Sequence, residues 1–255
     1  MAGAKFHDEE AQARVAVWKY IFGFTEIAVV KCAIKLGIPD VLENHACMTL
    51  AELSSALGCS PSSLYRVMRF LTHFGVFKAV RTDDDQGSSV AYAQTTVSRL
   101  LTKNRLGPLV LFESCPVMVA PRHVLNEFLV SGNPDVSPFE RAHGVDVWQY
   151  TEANPSFNEL FNKGMASAAG FIISTVVENY SAAFEGIACL VDVGGGNGTT
   201  LRSVVKACPW ITRAINYDLP HVIPSSDDDG GVEHVGGDMF KTVPKADATL
   251  LMVHD

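Results

Sequence analysis

The chain has 255 residues, enough for one large domain or two smaller ones, and 47% apolar against 19% charged residues lets it bury a sizeable core. Its net charge of -8 argues against nucleic acid or an anionic membrane as partner, because both reward surfaces rich in Lys and Arg. The six cysteines, at 32, 47, 59, 115, 189 and 208, form no C-x-x-C pair, there is no basic leader, and no run approaches the about 20 apolar residues of a membrane span, so isolated thiols in a cytoplasmic chain are expected.

In chain order, Val15 to Leu36 reads as a long helix, with Val15, Trp18, Ile21 and Phe22 and then Ala28, Val29, Cys32 and Ala33 on one face. That face is too apolar for water and must pack on its own domain or on a second subunit. Gly37-Ile38-Pro39-Asp40 stops this helix and starts a short one. Thr49 and Glu52 fit a capping box. A turn at 58–61 leads to a second helix over Ser62–His73, with Leu64, Val67, Met68 and Leu71 on one face. Phe74-Gly75-Val76-Phe77 begins a strand, an acidic turn spans Asp83–Ser89, and Val90-Ala91-Tyr92 returns as a second strand. Helix, tight turn, helix and hairpin make a winged helix-turn-helix. Arg66 and Arg69 on its second helix would suit DNA. Asp83, Asp84 and Asp85 in the wing would not, and a structural or dimerising role is expected instead.

Leu106 to Leu129 is expected to be helical with breaks near Pro116 and Pro121, and Gly132-Asn133-Pro134 ends it. Phe139–Trp148, Pro155–Gly170 and Ile172–Tyr180 are further helical stretches. Phe157, Leu160, Phe161 and Met165 share a face, a pattern that by itself reads as core packing. Phe184-Glu185-Gly186 reads as a linker. From Leu190 the pattern becomes that of a parallel α/β sheet: strands at 190–193, 214–217, 232–235 and 248–253, with a helix over about 200–207.

The first of these strands runs into Gly194-Gly195-Gly196-Asn197-Gly198-Thr199. Glycines let such a loop turn sharply and let a ligand approach the backbone, and open sheets bind ligands outside the carboxyl ends of their strands. Asp218 follows the second strand, about 20 residues behind the loop, where a carboxylate can hold a pair of ribose hydroxyls. Asp238 follows the third strand and His254 the fourth. A nicotinamide dinucleotide would want G-x-G-x-x-G; here Thr199 stands where the last glycine would be. The G-x-G-x-G pattern suits S-adenosylmethionine, which has no phosphates. A neutral imidazole such as that of His254, with a pKa near about 6.5, can remove a phenolic proton of pKa about 10 as the oxygen attacks an activated methyl group. Each acid taken alone is equally a helix cap or a turn residue.

These stretches resemble the plant small-molecule O-methyltransferases of the caffeate, isoflavone and alkaloid type, a cation-independent family. The resemblance is carried by Val191-Asp192-Val193-Gly194-Gly195-Gly196-Asn197-Gly198, Asn216-Tyr217-Asp218-Leu219-Pro220-His221-Val222-Ile223, Val232-Glu233-His234-Val235-Gly236-Gly237-Asp238-Met239-Phe240, Pro244-Lys245-Ala246-Asp247-Ala248, His254-Asp255 and, upstream, Phe157-Asn158-Glu159-Leu160-Phe161-Asn162-Lys163-Gly164-Met165. It implies a mainly α, winged-helix-like dimerisation domain over 1–105, and a helical linker with substrate-facing helices over 106–186. An incomplete Rossmann-like S-adenosylmethionine-dependent methyltransferase domain over 187–255 would hold the first four strands. It further implies that Gly194, Gly195, Gly196 and Gly198 lie against the cofactor, that Asp218 holds the ribose, and that Asp238 and Met239 frame the adenine. Phe161 and Met165 would line the methyl-transfer pocket and His254 would be the general base, with no metal. The expected partners are a phenolic small molecule of plant secondary metabolism and a second copy of the chain in a homodimer. Leu250 stands where the family usually has Lys, and Arg122 where it usually has Trp. The family's domain continues past this point, so a truncated member is expected, with a non-catalytic dimerising paralogue as the alternative.

Overall fold

The computed structural model describes residues 2–84, 87–131, 135–223 and 230–252. It divides into two compact units, Met1–Lys103 and Asn104–Asp255.

In the first unit, α1 covers Ala2–Leu36. It begins well before the expected Val15, because the preceding residues are mostly Ala, Glu, Gln and Lys, good helix formers. Gly37, at φ 76°, ends it, and α2 (Ile38–Glu43) follows with Pro in its first turn. After β1 (Met48–Thr49), α3 (Leu50–Leu57) starts on the capping box read from the sequence: Thr49 N–H donates to Glu52 Oε2 at 2.7 Å and Glu52 N–H to Thr49 Oγ1 at 3.3 Å. Then α4 (Pro61–His73) buries Leu64, Met68 and Leu71. Two antiparallel strands, β2 (Phe77–Asp84) and β3 (Gly87–Gln94), complete a small sheet of order β1-β3-β2, and α5 (Thr96–Leu100) closes the unit. The hairpin is tighter than the acidic turn expected over 83–89. Pairing continues to Asp84 opposite Gly87, helped by a 2.7 Å hydroxyl contact between Thr82 and Ser89. On α1 the apolar residues are largely uncovered within this unit: Trp18 stacks on Phe22 at 5.5 Å, yet both stay more than half exposed.

The second unit opens with short helices, α6 (Gly107–Glu113), α7 (Pro116–His123), α8 (Leu125–Ser131), α9 (Pro138–His143) and α10 (Val147–Ala153). The helical stretch is interrupted near both prolines as expected, at 114–115 and at Val124, with Pro121 itself in the last turn of α7. A proline there removes the N–H that would bond the carbonyl four residues back. That carbonyl, Val117 O, instead accepts from His143 Nε2 at 2.9 Å. The expected break at 132–134 lies outside the described residues. Gly144, at φ 79°, splits the single helix expected over 139–148 into α9 and α10. The helix expected from Pro155, continuing to Tyr180, forms as α11 (Pro155–Tyr180). By length and composition α11 and the turn after it could cross a membrane, contrary to the sequence reading. Here the helix buries Phe157, Gly164, Ala168 and Ile173 within this unit. Phe184 is core rather than linker, 8% exposed in a 3₁₀ turn, with its carbonyl accepting from Trp210 Nε1 at 2.7 Å.

Four parallel strands follow: β4 (Cys189–Val193), β5 (Arg213–Asp218), β6 (Val232–Gly236) and β7 (Ala248–Leu251), in the order β6-β5-β4-β7. One crossover helix, α12 (Thr199–Ala207), joins β4 to β5; the other described connections are turns and loop, so the expected strand–helix alternation occurs once. Leu190, Ala214 and Val232 face Leu201 and Val204 of α12 and Ile173 of α11 on one side of the sheet. Val191, Val193, Ile215 and Tyr217 pack on the other. After β4 the chain steps outward to β5 and β6 and then crosses back to β7 on the far side of β4. The carboxyl end of β4 therefore sits at a topological switch point, where open α/β sheets bind ligands.

Candidate functional site

The glycine loop occupies that switch point. Gly194, Gly196 and Gly198 have φ of 74°, 58° and 79°, the left-handed region that costs a glycine nothing. Gly194 N–H donates to Tyr217 O at 2.8 Å, tying the start of the loop to β5. At Gly194 and Gly196 an added Cβ would meet nothing within 4 Å, so the loop's outer side is open to a ligand. Gly195 is the opposite case: its Cβ would lie 2.8 Å from Asp192 Oδ2 and in collision with Asn216 Oδ1. The far end of the loop is pinned by Arg202, whose Nη1 donates to Asn197 O at 2.9 Å and Nη2 to Thr199 Oγ1 at 3.1 Å. Asn197 Oδ1 takes the Thr199 N–H at 3.2 Å, which fills part of the place where a pyrophosphate would sit on the helix amides.

Asp218 reaches the loop directly. Its Oδ2 accepts from Gly196 N at 2.8 Å and its Oδ1 from Leu219 N at 2.6 Å. Each carboxylate oxygen keeps a further lone pair for a hydroxyl. Gly237 N–H donates to Asp218 O at 2.8 Å, which brings the end of β6 beside it. There Asp238 accepts from Phe240 N at 3.0 Å and pairs with Lys241 Nζ at 3.2 Å. The Phe240 amide first, and then Lys241, hold its carboxyl below the usual range. Met239 and Phe240 beside it are exposed, at 43% and 89%. Gly194, Gly195, Gly196, Gly198, Asp218, Asp238 and Met239 are thus gathered at one end of the sheet.

Phe161 and Met165 lie elsewhere on α11, half-buried around Phe112, Cys115 and Phe157. Phe161 meets Phe112 edge-on at 5.2 Å and Trp148 at 5.8 Å. The same helix passes the glycine loop further on, where a Cβ on Gly170 would be 3.8 Å from Thr199 Cγ2. At about 1.5 Å per residue, Met165 stands some 7–8 Å back along the helix from that contact and Phe161 about 13–14 Å. His254 lies outside the described residues; Leu251, the last residue of β7, pairs with Val193 immediately before the loop. Among the described residues no group of three or more His, Cys, Asp or Glu could hold a metal.

Sequence reasoning passed over three polar residues beside this loop. Asp192, Asn216 and His234 stand in register on adjacent strands, and Leu250 completes the row on β7. Asn216 Nδ2 donates to Gly196 O at 2.9 Å and contacts His234 Nδ1 at 3.0 Å. Asp192 is 2% exposed, and burial, with Asp218 as the lesser cause, pushes its carboxyl up to about 7. The signal was present as acid and amide interrupting two apolar strands.

Comparison with known proteins places this geometry. Residues 123–255 match the O-methyltransferase domain and residues 18–104 the O-methyltransferase dimerisation domain. The chain belongs to the O-methyltransferase family. It is 44% identical to acetylserotonin O-methyltransferase of Arabidopsis thaliana, over 98% of this chain and 68% of that protein. It is 39% identical to flavonoid 4'-O-methyltransferase 5 of Ocimum basilicum (97% and 71%) and 37% identical to (R,S)-reticuline 7-O-methyltransferase of Papaver somniferum (97% and 72%). Among solved structures, mitomycin 7-O-methyltransferase is similar at a TM-score of 0.69 and 27% identity, covering 96% of this chain and 72% of that one. Human N-acetylserotonin methyltransferase in complex with S-adenosylmethionine shares the fold, with a TM-score of 0.74 at 17% identity over 94% and 70%. The residues gathered here fit S-adenosyl-L-methionine, the ligand of that human structure: an open glycine backbone, a carboxylate with lone pairs to spare for hydroxyls, and the Asn197 side chain over part of the place a pyrophosphate would take.

Proposed function

We propose that this O-methyltransferase methylates a phenolic hydroxyl of a plant secondary metabolite, with His254 as general base. The observation that carries the reading is the hydrogen bond from Gly196 N–H to Asp218 at the switch point, which builds a cofactor loop and a ribose carboxylate as one unit. When bound, S-adenosylmethionine supplies a methyl group already activated by its sulfonium. Gly194, Gly196 and Gly198 would take its methionine portion, Asp218 its ribose, and Asp238 with Met239 its adenine. The protein's share is then orientation and a base. His254 follows β7 in the sequence, and a neutral imidazole there would take the phenolic proton as the oxygen attacks. Phe161 and Met165, set among Phe112, Trp148 and Phe157, offer a flat apolar wall suited to an aromatic acceptor. Substrates named for the relatives, flavonoids and reticuline among them, are phenolic in the same way. The dimerisation-domain match and the uncovered Trp18, Phe22 and Phe24 of α1 support a homodimer through the first unit.

Calorimetric titration with S-adenosylhomocysteine tests the core of this reading. Micromolar binding, a dimer's mass in sedimentation and methyl transfer to a phenolic panel are the expected results. Binding without transfer to any acceptor would favour the non-catalytic dimerising alternative, and a folded chain that binds no S-adenosylhomocysteine would overturn the cofactor assignment.

A further inference from the structure

Beneath the glycine loop two buried acceptors lack any donor. Asp192 Oδ2 and Asn216 Oδ1 are both sealed from solvent and unpartnered among the described residues. They stand side by side, because Asp192 and Asn216 are register partners on β4 and β5. Both face the spot where a Cβ on Gly195 would lie. Two unpaired acceptors sealed in one low-dielectric site are costly. Turning the Asn216 amide over does not cure this. It would give Asp192 a donor, but it would set the amide oxygen against Gly196 O, which now takes an N–H at 2.9 Å. One added hydrogen satisfies every group as it stands.

We propose that Asp192 and Asn216 are positioning residues for the cofactor loop: the Asp192 carboxyl keeps its proton and donates it from Oδ2 to Asn216 Oδ1 under Gly195, and the loop holds its cofactor-binding shape while that proton is present. The inference rests on the cofactor reading of the loop. It extends that reading by making a buried acid–amide pair, rather than the glycines alone, the support of the site. Asn216 transmits the effect, since the same amide group holds Gly196 O, and Gly196 N–H in turn holds Asp218.

The charged and titratable groups facing the pair come from three neighbouring elements. Asp218 at the end of β5 opposes ionisation of Asp192. His234 on β6 meets Asn216 through Nδ1, and it stays an acceptor only while neutral. Arg202 on α12 lies beyond Gly198 and is engaged by Asn197 O and Thr199 Oγ1. The Leu250 register position on β7 brings no charge. Burial sets the direction: the folded carboxyl holds its proton up to about 7, whereas in the unfolded chain it releases near its ordinary 3.8. Stabilisation from this group is therefore complete below about pH 4 and is lost as pH rises to about 7, above which it changes no further.

The test is calorimetry with S-adenosylhomocysteine between pH 6 and 9 on the wild type and on Asp192→Asn, whose amide donates to Asn216 at every pH. In the wild type the dissociation constant should rise above about pH 7, approaching about tenfold per pH unit. In Asp192→Asn that rise should vanish, with affinity within about threefold of the wild-type value at pH 6. An unchanged rise in the variant, or a flat wild-type profile, overturns the proposal. Carboxyl-carbon NMR on the unliganded wild type reads the proton directly, whether or not the variant folds or any ligand binds. One aspartate signal with a midpoint near 7, shared by the Gly195 and Gly196 amide signals, is expected; all aspartates ionised by about pH 5 would refute the pair. A wild type that shows this midpoint yet binds no S-adenosylhomocysteine would leave the proton pair standing and sink the cofactor reading.

Discussion

Two glycine-bearing loops stand at the same end of the sheet and use their glycines in different ways. After β4, Gly194 and Gly196 are needed for a left-handed backbone and for open space, since a side chain at either would meet nothing but would strain the chain. After β6, Gly237 has an ordinary backbone and no space at all, because its Cβ would fall on the phenol of Tyr217. Gly195 in the first loop belongs with Gly237 in this respect, pressed against Asn216 and Asp192. The lesson is that a run of glycines is not one feature. Some of its members shape the surface a ligand meets, and others let the loop lie down on what supports it.

The largest effect that separates these roles is expected at Gly195→Ala. Its neighbours, Asp192 and Asn216, are short side chains fixed on adjacent central strands, and neither can swing away without emptying a buried polar site. Overpacking of this kind costs about 1–3 kcal/mol, and more where polar groups are displaced. We expect a clear drop in thermal midpoint together with at least tenfold weaker binding of S-adenosylhomocysteine, about 1.4 kcal/mol or more in affinity. A variant that unfolds and binds like the wild type would show that the loop does not rest on the pair.

Gly237→Ala should cost less. The obstacle is the tip of a single ring, and the backbone on either side is at the protein surface, with Gly236 and Met239 exposed. The chain can lift at the expense of the Tyr217–Thr242 hydrogen bond and of part of the packing around Tyr217, a loss of about 1–2 kcal/mol. Because Asp238 and Met239 follow directly, weakened adenosine binding should accompany it, while the pH dependence set by Asp192 should be unchanged. Calorimetry at pH 6 and 8 separates the two loops: Gly195→Ala should disturb affinity and its pH profile, Gly237→Ala affinity alone.

Much of this architecture was legible from sequence. The G-x-G-x-G run behind an apolar strand, and Asp218 and Asp238 each following a strand, mark one end of a sheet in the sequence itself. The capping box at Thr49 and Glu52 was equally local and equally readable. What escaped depends on contacts across the chain. The break near Pro121 was readable, but not that His143, far along the sequence, takes the carbonyl of Val117 that the proline leaves without its N–H. Phe184 sits in a linker-like Phe-Glu-Gly triplet and is nonetheless core. Asp192, Asn216 and His234 are one polar row only once three strands are set in register, and no spacing within the sequence reveals that register.

The finest cut between the two loops is Tyr217→Phe. The ring is 3% exposed and packs with Val191, Val193 and Ile215, and the substitution keeps that packing. It removes only the hydroxyl, which donates to Thr242 O at 2.7 Å and so ties the segment after Asp238 back onto β5. A single neutral hydrogen bond contributes about 1 kcal/mol net, and the freed carbonyl at Thr242 can turn to water because Thr242 is itself exposed. Stability should therefore fall by about 0.5–1.5 kcal/mol. Amide hydrogen exchange should quicken over 238–242, with Gly194–Gly198 left as slow as in the wild type. Faster exchange in both segments would mean that the two loops are one cooperative unit, and that the Gly237 amide on Asp218 O, rather than the tyrosine hydroxyl, couples them.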